Sequence, residues 1–210
     1  VTTAITLPSA SQSDPLAALR AATGQQHALL DSSLPLSKDD ATLVDYRQHL
    51  LMLRVWLLPL DRWLAAYGDG PQDAAVVPQR DYLRLVDLDL ADRTMAELAP
   101  AAPAPAAASP WPAQASAAYR WGVSYVVEGS QLGGAVLYKR LAAPLAPHPL
   151  SYLRGAPPAA DAPGPGPRWK AFVAALRQAL TTPDEVAEAA RGAVDAFSRL
   201  LSLHENEGAR

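Results

Sequence analysis

The stretch Tyr119-Arg120-Trp121-Gly122-Val123-Ser124-Tyr125-Val126-Val127-Glu128-Gly129-Ser130-Gln131-Leu132-Gly133-Gly134-Ala135-Val136-Leu137-Tyr138-Lys139-Arg140 reads as a helix with Gly122, Gly129, Gly133 and Gly134 inside it. Each glycine costs ~0.8–1 kcal/mol relative to alanine, so the set costs about 3–4 kcal/mol. Gly122, Gly129 and Gly133 are spaced by seven and four residues, which places them on one face. A face without side chains lets something flat or bulky approach the backbone, and a glycine pair lets the helix bend. Tight packing against another helix is the alternative use of the same face.

Outward from this helix the apolar spacing stays helical. Asp14-Pro15 is an N-cap with proline at the first helical position. The helix it opens is expected to run to about Leu30, with Leu16, Leu19, Thr23, His27 and Leu30 as its inner stripe. Ser37-Lys38-Asp39-Asp40 opens a second helix expected to end at Gly68, with a kink or break at Pro59. Further helical pieces are read at 78–90 and 92–98. Residues 99–112 read as a surface connection, and 144–167 as a long Pro/Gly-rich loop. Helices follow from Trp169 to Leu180 and, after the capping box Thr182-Pro183-Asp184-Glu185, to about His204. No alternating strand pattern and no internal repeat competes with this. The expected class is all-α, a single-domain bundle over 14–204, with a flexible tail at 1–13 and a short tail at 205–210.

Composition narrows the function. The 210 residues carry 18 Lys+Arg against 21 Asp+Glu, a net charge of −3, with no basic stripe to suit nucleic acid. Cysteine is absent, which removes disulfides, thiolate metal sites and cysteine nucleophiles, and suits a cytoplasmic protein. The most apolar run, Leu50–Leu60, is shorter than the ~20 residues of a bilayer span and holds Arg54, so no membrane association is expected.

His27 lies on an apolar stripe with Thr23 and Leu30. Such a histidine is either a core residue bonded to a carbonyl or a ligand. Arg20 is seven residues earlier, ~10 Å up the helix on nearly the same face, and serves either as an exposed charge or as a partner for an anion. A neutral imidazole with a cation two turns away suits a planar metal macrocycle that carries carboxylates. His49, His148 and His204 have no supporting neighbours in sequence and read as structural or exposed.

These residues carry a family resemblance. Leu19-Arg20-Ala21-Ala22-Thr23-Gly24-Gln25-Gln26-His27-Ala28-Leu29-Leu30-Asp31 resembles the proximal helix of heme oxygenases. Tyr125-Val126-Val127-Glu128-Gly129-Ser130-Gln131-Leu132-Gly133-Gly134 resembles the distal helix of their bacterial members. The two motifs stand in the family's order, about a hundred residues apart, and the resemblance covers roughly 14–204. It implies a heme oxygenase-like helical bundle with a kinked, glycine-rich distal helix. It implies an enzyme that opens heme to biliverdin, carbon monoxide and ferrous iron with O2 and external electrons. Heme is then both cofactor and substrate.

On this resemblance His27 is the axial iron ligand, its other ring nitrogen held by an acceptor. Arg20 meets a propionate. Gly129, Ser130 and Gly133 form the catalytic distal face, and Tyr125, Gly134 and Phe197 complete the heme pocket, Tyr125 by reaching a propionate or water, or else as a core aromatic, and Phe197 as a wall of the distal side or as core. Lys170 and Arg177 stand where the family has basic propionate partners, or on a solvated face. One departure is plain: many heme oxygenases have an aspartate after the first distal glycine, and this chain has Ser130. Ser130, Gln131 or a residue from elsewhere is left to anchor the waters. Glu128 is a further candidate, or else a surface charge or local ion pair.

Expected partners are heme, O2 and an electron donor (a reductase, a ferredoxin or an ascorbate-like reductant), acting on a monomer. A bacterial phytochrome that receives biliverdin is one destination of the product, and iron release is the other. A non-catalytic heme carrier or sensor would share both motifs. Di-iron bundles need Glu-x-x-His pairs, and the residues three before His27, His49, His148 and His204 are Gly24, Tyr46, Leu145 and Leu201. The thiaminase-type relatives of the fold use a cysteine, which is absent. A plain helical interaction module leaves the glycine face unexplained.

Overall fold

The computed structural model describes residues 14–99, 110–156 and 164–208, with side chains described through 204. The tail expected at 1–13 and most of the connection at 99–112 lie outside the described residues. Eight α-helices make up the described chain: α1 (Pro15–Ser33), α2 (Leu43–Leu64), α3 (Tyr82–Leu90), α4 (Arg93–Ala96), α5 (Ala117–Leu141), α6 (Ser151–Arg154), α7 (Pro165–Ala179) and α8 (Pro183–Gly208). Two 3-10 turns, Pro35–Ser37 and Gly70–Gln72, link them. No strand occurs among the described residues.

Local chemistry sets the boundaries. α2 starts at Leu43 rather than at Ser37, because Thr42 and Asp45 form a reciprocal capping box. It ends at Leu64 and continues through Pro59 without a break. α3 starts at Tyr82 rather than Pro78, since the Asp81 carboxylate accepts from the Arg84 amide at 2.7 Å. The box at Thr182 and Glu185 caps α8 as its sequence indicates, through bonds of 2.9 and 3.2 Å. The expected long loop at 144–167 contains α6 and the first turn of α7. A buried carboxylate holds α6 in place. Asp89, on α3, accepts from the amides of Ser151 and Tyr152 at 2.9 and 2.8 Å and from the Tyr46 hydroxyl at 2.6 Å. The His148 ring bonds the Asp89 carbonyl at 3.1 Å, so this histidine is structural.

α5 is the central element, buried over most of its length and lying along α8. Their seam needs two glycines. A Cβ on Gly122 would overlap the Ala189 carbonyl of α8, and a Cβ on Gly192 would overlap the Tyr119 carbonyl of α5. Gly122 therefore serves helix packing, and it leaves the bare face that its spacing suggested it shared with Gly129 and Gly133. α1 packs on the other flank of α8. Leu16, Leu19 and Thr23 of α1 are buried as expected, but the stripe then leaves the core. The His27 side chain is 60% exposed, and Leu30 is half-buried.

Candidate functional site

Where the α1 stripe leaves the core, a cavity of about 600 Å³ opens between α1 and α5. That is a common size for a pocket that takes a drug-sized or cofactor-sized molecule. Its walls bring together eight of the residues singled out for the site: Arg20, His27, Tyr125, Gly129, Ser130, Gly133, Gly134 and Phe197. Gly133 faces open space, with nothing within 4 Å of where a Cβ would be. Gly134 also packs against the Leu153 backbone, at 3.4 Å from a Cβ position. Gly129 lies under the Trp169 indole of α7, whose ring atoms are 3.7 Å from its Cβ position. The bare face of α5 is thus open at one end and roofed at the other.

On the opposite wall, His27 Nδ1 lies 2.8 Å from Asp31 Oδ2, one helical turn on. An acceptor on Nδ1 keeps the proton there and leaves the Nε2 lone pair available, the state a metal needs. Nε2 bonds to no described residue. The Phe197 ring of α8 stands 5.9 Å from the imidazole, centroid to centroid. Phe197 is thus buried in the core, as one of its two readings had it, and lines the cavity beside His27. Arg20 stands exposed on the rim.

Lys170 and Arg177 take the solvated-face alternative and do not line the cavity. Arg177 pairs with Asp14 through bonds of 2.8 and 2.9 Å, and Lys170 is exposed outside it. Arg140 takes that place at the far end of α5. Its guanidinium donates to the carbonyls of Ser37, at 2.9 Å, and Leu36, so its charge meets no carboxylate there. Arg140 was already visible as a basic residue ending the glycine helix.

Glu128 is no surface charge. Arg168 grips both its oxygens, Nε at 2.7 Å and Nη2 at 2.5 Å, and the Tyr82 hydroxyl adds a bond of 2.9 Å. Glu128 is held in this pair on the other side of α5 and does not line the cavity. Other polar groups do reach the cavity. The Tyr152 hydroxyl of α6 faces Ser130 and Gln131, and burial pushes the phenol pKa up. The Ser130 hydroxyl donates to the Val127 carbonyl at 2.8 Å, which leaves its oxygen free to accept. The buried Gln131 amide lies beside Tyr152 without closing a hydrogen bond. His49 of α2 also lines the cavity, with Nδ1 buried and unpartnered. Burial, and then the nearby His204, lower its pKa to about 4.

The family model described as "Heme oxygenase" matches residues 13–206. The chain belongs to the heme oxygenase family. A curated heme oxygenase from Xanthomonas campestris pv. campestris (strain 8004) is 39% identical over 89 residues, 41% of this chain. That match spans 50% of the relative's own length. The fold is similar to the NO- and CO-bound heme oxygenase from Neisseria meningitidis, with a TM-score of 0.66 and 25% identity over 93% of this chain and 92% of that one. The family's two helix motifs, read from sequence on α1 and α5, face each other across the cavity.

The cavity fits the group that the family name implies. An imidazole whose Nε2 bonds to no described residue shares the cavity with the bare backbone of Gly133, where a Cβ position meets open space, and cationic side chains stand at the rim. Among the described residues, the polar atoms left unpartnered in and near it include those of His49, Gln131 and His204.

Proposed function

We propose that this protein opens heme oxidatively to biliverdin, carbon monoxide and ferrous iron, using O2 and electrons from an external donor. One observation carries the reading: His27, oriented by Asp31, faces the bare backbone of Gly133 across a cavity of about 600 Å³. Bound heme would supply the iron that activates O2 and the carbon skeleton that is opened.

The chain's own residues have separable tasks. His27 Nε2 would hold the iron, and Asp31 would keep the imidazole in the right tautomer. Arg20 and Arg140 would attract the carboxylates of the macrocycle to the rim, where such contacts stay partly hydrated. Gly133 would let the α5 backbone approach the reacting side more closely than any side chain allows, while Gly129 makes room for the Trp169 indole beside it. Gly134 and Tyr125 would complete that wall, and Phe197 would pack beside the imidazole. Apolar walls would exclude bulk water, so protons must come through ordered water.

The hydroxyls of Tyr152 and Ser130 and the Gln131 amide form the polar group best placed to hold such water in place of an aspartate. Tyr152 O–H is the proton donor of that set. Neutral His49 adds a buried ring nitrogen, Nδ1, whose role as donor or acceptor depends on the tautomer. On the same reading a reductase, a ferredoxin or an ascorbate-like reductant supplies electrons. Biliverdin passes to a bacterial phytochrome, or else the iron is the useful product.

The test is an absorption time course: purified protein, an equimolar amount of hemin, then reductant in air. A Soret band that forms and decays into a broad red biliverdin spectrum, with carbon monoxide released, is the expected result. A stable Soret band would make the protein a heme carrier or sensor. No Soret band would overturn the reading.

A further inference from the structure

Two successive residues of α5 meet two successive residues of α7. Glu128 pairs with Arg168, and Gly129 lies under Trp169. The ion pair lies behind α5, beside a second cavity of about 300 Å³, while the indole lies in front, in the heme cavity. Arg168 is fixed further by donating to the Tyr82 hydroxyl at 3.0 Å and the Pro78 carbonyl at 2.6 Å. The Trp169 ring is wedged between Tyr125 and Phe172, each at a centroid distance of 5.7 Å. A buried bidentate pair and two aromatic neighbours leave the indole little freedom.

Heme poses a recognition problem that charge cannot solve. Turning the macrocycle over about the axis that runs through its carboxylate edge leaves the carboxylates in place. It exchanges methyl and vinyl groups at the inner edge. Arg20 and Arg140 therefore cannot distinguish the two faces. A rigid apolar wall on one side of the slot can, because the substituents differ in size. The slot has such asymmetry: its ceiling is roofed at Gly129 and open at Gly133.

We propose that Trp169 is the specificity wall that selects one of the two face orientations of heme, and that the Arg168–Glu128 pair is the positioning device that holds it there. This rests on the functional reading above. Hydrophobic walls that sense one or two carbons discriminate by about tenfold or more. The wild-type ferric heme complex, examined by proton NMR in its low-spin cyanide form, should show one dominant set of heme methyl signals. Trp169→Ala should bring the two sets to comparable intensity, and Trp169→Phe should do so in part.

Arg168→Met should spread the orientations in the same direction, and Arg168→Lys should restore part of the preference. In the heme-free protein Arg168→Met should also increase acrylamide quenching of tryptophan emission, and the increase should vanish in Arg168→Met/Trp169→Phe. Trp169→Ala and Trp169→Phe complexes that keep the wild-type methyl pattern would overturn the wall. An Arg168→Met protein with unchanged methyl pattern and quenching would overturn the positioning role. If the wild type takes up no heme, the functional reading fails, and this proposal fails with it. Binding and turnover with unaltered orientation in the variants would sink this proposal alone.

Discussion

His27 Nδ1 and Asp31 Oδ2 lie 2.8 Å apart on one face of α1, a single helical turn apart, so the imidazole presents Nε2 to the cavity. His27→Ala should abolish the histidine-ligated ferric heme spectrum and most turnover. Asp31→Ala should keep that spectrum while weakening heme affinity or activity by about 10–100-fold, the usual cost of losing a ligand's orienting partner. Hemin titration followed by absorption checks both. A wild-type spectrum in His27→Ala would move the ligand elsewhere.

The glycines of α5 should separate cleanly by stability. Gly122→Ala drives a methyl into the Ala189 carbonyl and should lower unfolding free energy by about 1–3 kcal/mol or more. Gly133→Ala meets open space and should raise it by about 0.5–1 kcal/mol, because alanine is the better helix former. Urea unfolding of the heme-free proteins distinguishes them. Gly133→Val should in addition reduce biliverdin yield while heme still binds, since its branches fill the space above the slot.

His49 gives the stability a defined pH dependence. Burial, and then His204, lower its pKa from 6.5 to about 4 in the fold. The unfolded chain therefore takes up this proton as pH drops below 6.5, and the folded chain only near 4. Stability from this group is full above pH 6.5 and is lost as pH falls through that window, by up to about 3 kcal/mol. His49→Leu should flatten the slope of urea stability against pH between these limits. An equal slope in both proteins would show that His49 is already protonated in the fold or reached by water.

Tyr152→Phe removes one oxygen from the group facing Ser130. Heme affinity should hold, and biliverdin formation should slow on the order of a hundredfold, the lower end of what a positioned proton donor contributes. Ser130→Ala should slow it less, because the Ser130 hydroxyl already spends its proton on the Val127 carbonyl. A Tyr152→Phe enzyme of normal rate would assign proton delivery to His49 or to water alone.

The all-α class, the glycine helix and the Thr182 box that caps α8 were legible because each rests on contacts within one or two turns. The motifs on α1 and α5 likewise indicated the cavity residues that the structure brings together. Boundaries failed where a second cap lay close by, as Thr42 lies after Ser37. Site partners from distant segments left no local trace. Tyr152 reaches the cavity because Asp89, 63 residues away, holds its amide. Trp169 reaches Gly129 because Arg168 meets Glu128 across 40 residues. Periodicity reports which face of a helix is apolar, not which helix comes to lie against it.

α1 and α5 both lean on α8, like jaws on a common spindle. The gauge of the slot is therefore set away from its lining, along the seam where Ala189, Ala193 and Ala196 are fully enclosed. Enlarging one of these small side chains would push the jaws apart without altering a single residue that touches the occupant. The width of the slot can in this way be retuned through bulk at the spindle alone.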